Sequence, residues 1–303
     1  MTNSLSVIEY FTLFRDREVT IVVDDVSYMK TLKSYRFNVV HYDNYDFSSY
    51  ENIYLLITSF SYLEKIKNLW GNTNSIICIL SIVKFLPSIK NIEYTFNHLL
   101  SANIPEILNI RGDAYEFVEN NSRLDVKDSL NDFNVSFYNE IDVGNHDLNM
   151  HRGFLYSVPE FFEASFVNMN EKCSGYNING IFSFDGIMTA AVNREVRENL
   201  DKKITTICEK VNNSTSKKLI IDNNRITSLV LNGKESTLLD MFEFELGREI
   251  SEFAFGCNKN IINPDWSINS VSNEGIYGTH IGLGLGDIAP HIDFISKDLM
   301  PIY

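Results

Sequence analysis

The chain has 303 residues, which suits about two domains, and its 44% hydrophobic and 22% charged residues are ordinary for a globular protein. The formal net charge of −14 repels phosphate backbones and anionic lipid, so neither a nucleic-acid nor a membrane partner is expected. No uncharged apolar run reaches the ~18 residues of a membrane helix. The amino terminus lacks a basic stretch followed by an apolar core, so a cytoplasmic protein is expected. Cys78, Cys173, Cys208 and Cys257 are scattered with no CxxC pair, which indicates neither a disulfide framework nor a thiolate zinc site.

Strand and helix patterns alternate through the first part of the chain. Residues 18–24 form a short β-branched run that reads as a buried strand, and 27–35 can form a helix. Further strands are expected at 37–42, 52–59 and 75–82, with a helix over 61–70 whose Leu63, Ile66 and Leu69 fall at helical spacing. Two helical stretches follow, around 92–100 and 114–118. Apolar strands separated by helices imply a parallel sheet with both faces covered. The expectation is therefore an α/β fold, with a Rossmann-like parallel domain over residues 1–121. No GxGxxG or GxxxxGK[ST] is present, so binding of ATP, NAD or FAD is not expected. Asp24-Asp25 ends the first of these strands, where α/β folds place ligand contacts, but a helix N-cap explains the pair as well. His41 and His98 read as packed or surface histidines.

After Ser122 the pattern changes to short alternating runs at 132–138, 152–158, 162–167 and 180–184, which suggest antiparallel strands. Leu200, Ile204, Ile207, Cys208 and Val211 define one face of an amphipathic helix. Residues 218–232 read as a hairpin turning at Asn223-Asn224, since asparagine tolerates the left-handed conformation. A second helix is expected over 235–246. Residues 122–303 therefore form a mixed α+β, strand-rich second domain.

The chemistry concentrates in Gly278-Thr-His-Ile-Gly-Leu-Gly-Leu-Gly-Asp-Ile-Ala-Pro-His-Ile-Asp-Phe294. In a strand, residues two apart share a face, so His291 and Asp293 can offer an imidazole and a carboxylate to one ion. The glycines between let the backbone turn and bring His280 back towards it. Two histidines and a carboxylate suit Zn, Mn, Co or Fe(II). A surface pair on an edge strand would give the same pattern.

Four blocks of the C-terminal half, in order, resemble the metal-binding domain of the thermophilic metallo-aminopeptidases. They are Val158-Pro-Glu-Phe-Phe-Glu163-Ala-Ser-Phe, Ile178-Asn-Gly-Ile-Phe-Ser-Phe-Asp-Gly186, Glu249-Ile-Ser-Glu252-Phe-Ala-Phe-Gly-Cys-Asn258, and Glu274-Gly-Ile-Tyr-Gly-Thr-His280 with Pro290-His291-Ile-Asp293. The resemblance implies a ligand set of Glu163, Glu252, His280, His291 and Asp293 holding one or two divalent transition-metal ions, a peptide or small-molecule substrate, and a homodimer. It implies a metal-dependent hydrolase of aminopeptidase type acting on a peptide or small amide, whose specificity the departures below would narrow. Departures are visible: the 11 positions from His280 to His291 carry no tyrosine where relatives supply one, and Phe161 and Phe162 stand where small residues are usual. They favour a second reading, a non-catalytic peptide-binding or assembly protein of a biosynthetic pathway. A third follows from the ring-cleaving dihydroxypyridine dioxygenases, which resemble the same domain: His280, His291 and Asp293 as a mononuclear Fe(II) triad.

Overall fold

A computed structural model describes residues 4–138, 141–143, 148–168, 175–242, 247–284 and 289–302. The fold is α/β, and the described residues form four sheets. No described helix is long and apolar enough to cross a membrane. The chain divides into two compact units, residues 1–105 with 145–161 and 270–272, and 106–144 with 162–269 and 273–303.

The first unit holds a five-stranded parallel sheet in the order Leu155–Ser157, Ile76–Leu80, Asn52–Leu56, Thr20–Val23, Val39–His41. Its central strands are apolar because both faces are covered; every residue of Ile76–Leu80 is buried. The run at 152–158, expected to join antiparallel strands, instead supplies the parallel edge strand Leu155–Ser157. A three-residue strand carries no periodicity that fixes its partner or direction, so its sequence could not decide this. The helix Val7–Asp16 follows the short strand Ser4–Ser6. Ser6 caps it by accepting from the Glu9 backbone N–H, and Glu9 reaches back to the Ser6 N–H in a capping box.

The second unit packs two six-stranded antiparallel sheets around one apolar core with the amphipathic helix Arg194–Asn212. One sheet contains the expected hairpin, Lys217–Asp222 and Arg225–Leu231, turning on Asn223 and Asn224 at φ of 50° and 58°. The helix expected over 235–246 is not formed as such: Lys234–Ser236 is a strand and Leu238–Phe242 a short 3-10 helix, while residues 243–246 lie outside the described ones. Cys173 also lies outside them.

The other sheet runs in the order Gly186–Ala190, His291–Lys297, Gly278–Leu283, Ile250–Gly256, Glu163–Val167, Asp142–Val143. Its two faces differ sharply. Ala164, Phe166, Phe253, Phe255, Ile281, Ile292 and Phe294 point into the core. By the strand period of two, Glu163, Ser165, Glu252, His280, Gly282, His291 and Asp293 share the opposite face.

Candidate metal centre

Register decides which of these polar side chains meet. Glu252 pairs with Gly282, and Gly282 pairs with Asp293, so two carboxylates flank a residue with no side chain. Two residues along, His280 pairs with Ala254, which pairs in turn with Ser165. A shift of register between Ile250 and Glu252 adjusts the Glu252 strand just where its carboxylate enters the cluster. An ideal Cβ on Gly282 would lie 2.7 Å from His291 Cε1, 2.8 Å from Asp293 Oδ1 and 3.0 Å from Glu252 Cβ. The absent side chain thus leaves a cradle that three candidate donors surround.

The donors fall into two groups with one common member. Glu163, Glu252 and His280 form one, and Glu252, His291 and Asp293 the other, with the donor atoms of each within 4.8 Å of one another. His280 Nε2 lies 3.4 Å from Glu163 Oε2. His291 Nε2 lies 3.0 Å from Glu252 Oε2 and 2.9 Å from Asp293 Oδ1. The second nitrogen of His291, Nδ1, is 2.6 Å from the Gly284 carbonyl, which also accepts from the Ser251 hydroxyl at 2.9 Å. That carbonyl requires a proton on Nδ1, so Nε2 is the nitrogen aimed at the carboxylates. Ser165 donates its hydroxyl to Glu252 Oε1.

Strand spacing and the glycines between group His280 with His291 and Asp293, and the aminopeptidase-like set adds Glu163 and Glu252. In the fold His280 joins Glu163 and Glu252 instead, because it stands on a neighbouring strand beside Ala254 and Ile295, not beside Asp293. Phe161 and Phe162 lie in the packed interior of their units, Phe161 against Phe11 and Tyr156, and Phe162 against Gly275. Ser165 and Gly282 were not singled out in sequence. Ser165 could have been, two residues from Glu163 in the same alternating run.

Electrostatically the cluster is short of positive charge. Glu163, Glu252 and Asp293 meet two imidazoles, and the buried Glu274 adds a fourth carboxylate near Glu163. Burial, with Glu274, Glu252 and Asp293 beside it, pushes the Glu163 carboxyl well above the usual range. Burial also opposes ionisation of Glu252, but His291, His280 and the Ser165 hydroxyl outweigh it and hold that carboxyl at about 2. Burial would lower His291, yet Asp293 and Glu252 hold its imidazole well above the ordinary histidine value. Beyond those imidazole contacts, Glu163 Oε2, both Asp293 carboxylate oxygens and His280 Nδ1 are buried without a hydrogen-bond partner among the described residues. Buried polar atoms left unpaired are costly, and carboxylates lacking donors are what a divalent cation satisfies. Carboxylate and imidazole donors around an open cradle fit Zn, Mn, Co or Fe(II).

The other acid singled out near a strand end is differently placed. The Asp24 carboxylate accepts from the backbone N–H and the hydroxyl of both Thr58 and Ser59, tying the ends of two parallel strands. Asp25 caps the 3-10 turn Val26–Tyr28 through the Ser27 N–H.

Fold and site together define an α/β protein of two units whose antiparallel sheet carries a buried acid–imidazole centre. The chain belongs to the crocagin biosynthetic protein CgnE/B family, whose model matches residues 16–302. No curated protein matches it. The resemblance to metallo-aminopeptidases is thereby corrected: the matching family spans nearly the whole chain, and no aminopeptidase family is found. The four blocks are short strand-and-turn segments, which antiparallel sheets with buried acids share whatever their descent. The hydrolase, dioxygenase and homodimer expectations lose that support, and the ligand set now rests on geometry alone.

Proposed function

We propose that this chain serves its biosynthetic pathway as a peptide-binding or assembly component built around a divalent-metal centre. The observation that carries the metal is the sharing of Glu252 between two donor groups over the Gly282 cradle. Family membership supports the pathway setting. Glu163 and His280 would hold one ion, His291 and Asp293 another, with Glu252 common to both. A bound divalent ion supplies positive charge that the four carboxylates lack. Ser165 and the Gly284 carbonyl then act as orienting groups, fixing the Glu252 carboxylate and the His291 tautomer.

Elemental analysis of the purified chain, followed by calorimetric titration with Zn, Mn, Co and Fe(II), tests the metal. Binding at micromolar concentration, with one or two ions per chain, is the expected result. Peptide arrays probed with metal-loaded and metal-stripped protein test the partner class.

One observation favours a second reading, a metal-free ionic centre. His291 Nε2 already stands between Glu252 and Asp293 at 3.0 and 2.9 Å, so a protonated imidazole can bridge the two acids itself. No binding of any of the four metals would leave this reading in place.

A further inference from the structure

A cavity of about 580 Å3 opens in the second unit at the C-terminal end of the helix Ile104–Asn120, a volume in the range of small-molecule sites. None of the described residues that line it belongs to the acid–imidazole centre. Phe166 reaches it from the face of Glu163–Val167 opposite to Glu163 and Ser165, as the alternating burial of that strand requires. Tyr115, Phe137 and Phe166 are buried aromatic walls, and Tyr138, 43% exposed, stands at the mouth.

Among the described residues that line this cavity, Glu119 is the only charged one. The helix ends here with no basic residue in its last turn, so the negative end of its dipole is uncompensated by a cation. Asn121 Nδ2 donates to the Phe117 carbonyl at 2.7 Å, satisfying one of the terminal acceptors. Glu119 lines the cavity and makes no ion pair among the described residues. None of the described lining residues is basic. The Arg111 guanidinium lies 5.5 Å from the Tyr115 ring centre, but it is buried and does not line the cavity. Aromatic faces attract cations, and so do a carboxylate and a helix C-terminus.

We propose that this cavity binds an organic ammonium ion with an apolar body, the chemistry of an arylalkylamine or of an amino group on an aromatic or aliphatic side chain. The apolar body would lie against Phe137, Tyr115 and Ile141, and the ammonium would face Glu119 and the helix end beside Tyr138. A neutral analogue keeps only the wall contacts, and an anion meets repulsion.

Titration of the full chain with phenethylammonium, 2-phenylethanol and phenylacetate, followed by calorimetry or NMR, tests this. Phenethylammonium should bind at least about fivefold more tightly than the alcohol, from the combined dipole, carboxylate and cation–π attraction, and phenylacetate most weakly. Glu119 is exposed, so Glu119→Lys should leave the unfolding temperature unchanged and bring the ammonium to the alcohol's level or below. Tyr138→Ala should weaken the ammonium and the alcohol together. Equal affinity for the three probes, no binding at millimolar concentration, or an unaltered ammonium affinity in Glu119→Lys overturns the proposal. So does binding that survives Glu119→Lys and vanishes in Glu252→Gln, which would put the cation among the metal-centre acids.

Discussion

Asp24, beyond the parallel strand Thr20–Val23, and Asp293, within the antiparallel strand His291–Lys297, are both buried carboxylates with opposite surroundings. Asp24 is saturated by donors, two N–H groups and two hydroxyls from Thr58 and Ser59. Asp293 has only the His291 imidazole, 2.9 Å from its Oδ1, and Glu252 competes for that imidazole. A buried acid that is satisfied by its own chain is a structural tie. One that is left short of donors, in the company of other acids, leaves room for a positive charge, whether a cation or a protonated imidazole. The same residue type therefore says little about function until its partners are counted.

Removing the shared acid should break this contrast most. Glu252→Gln takes a carboxylate from both donor groups, so metal affinity should fall by about a thousandfold or more, the loss being compounded over two ions. The unfolding temperature offers a second readout. Metal at a hundred times its dissociation constant should stabilise the native chain by about 2.7 kcal/mol. That metal-dependent increment should vanish in the variant, and its survival would falsify the shared-ligand assignment.

A sharper test keeps every ligand. Gly282→Ala places a methyl group within 3.0 Å of His291, Asp293 and Glu252, in the space that an ion would occupy. Metal affinity should drop by about a hundredfold, at the upper end of changes made beside rather than among ligands. The metal-free chain should lose about 1–3 kcal/mol, because the neighbouring side chains must give way. Unchanged metal binding in this variant would mean that the ion, if any, sits elsewhere.

Asp24→Asn addresses the other side of the contrast. The substituted amide turns one acceptor into a donor facing the N–H and hydroxyl of Ser59 or Thr58. Stability should fall by about 1–3 kcal/mol, measured by denaturant unfolding, and by the same amount with and without metal. A metal-dependent difference would show that the two units communicate in a way the separate accounting of their acids omits.

How much of this could be read from the residues alone follows from periodicity. Continuous β-branched runs such as Ile76–Leu80 announce a buried parallel strand, and Asn223-Asn224 announces a hairpin, because both signals are local. The side-by-side presentation of His291 and Asp293 is local too. Which acids meet which imidazole is not, since it depends on cross-strand register, and the Glu252–Gly282–Asp293 row spans three strands. The role of Gly282 is invisible in sequence for the same reason: its lack of a side chain matters only through what surrounds it. The Ser6-x-x-Glu9 capping box is a further local signal, for the helix Val7–Asp16. The blocks likened to aminopeptidases failed differently, as short patterns were credited with a descent that a match over residues 16–302 assigns elsewhere.

The smallest effect expected concerns Ser165, which touches the centre only through Glu252. Its hydroxyl donates to Glu252 Oε1, leaving Oε2 towards His291. Without that donor the carboxylate can rotate, and an ion would have to fix it at its own cost. Ser165→Ala should therefore weaken metal binding by about tenfold, the lower range for groups that orient ligands. The metal-free chain should change by only about 0.5–1.5 kcal/mol, the net value of one hydrogen bond. Ser165→Thr keeps the hydroxyl and suits a strand, so it should recover most of the affinity. Rescue by threonine with failure in alanine would mark Ser165 as an orienting group. Equal loss in both would mean that the extra volume or altered packing, and not the hydroxyl, had disturbed the Glu163 strand. In the metal-free ionic reading the outcome differs again: alanine would change the stability of the chain, and there would be no metal affinity to rescue.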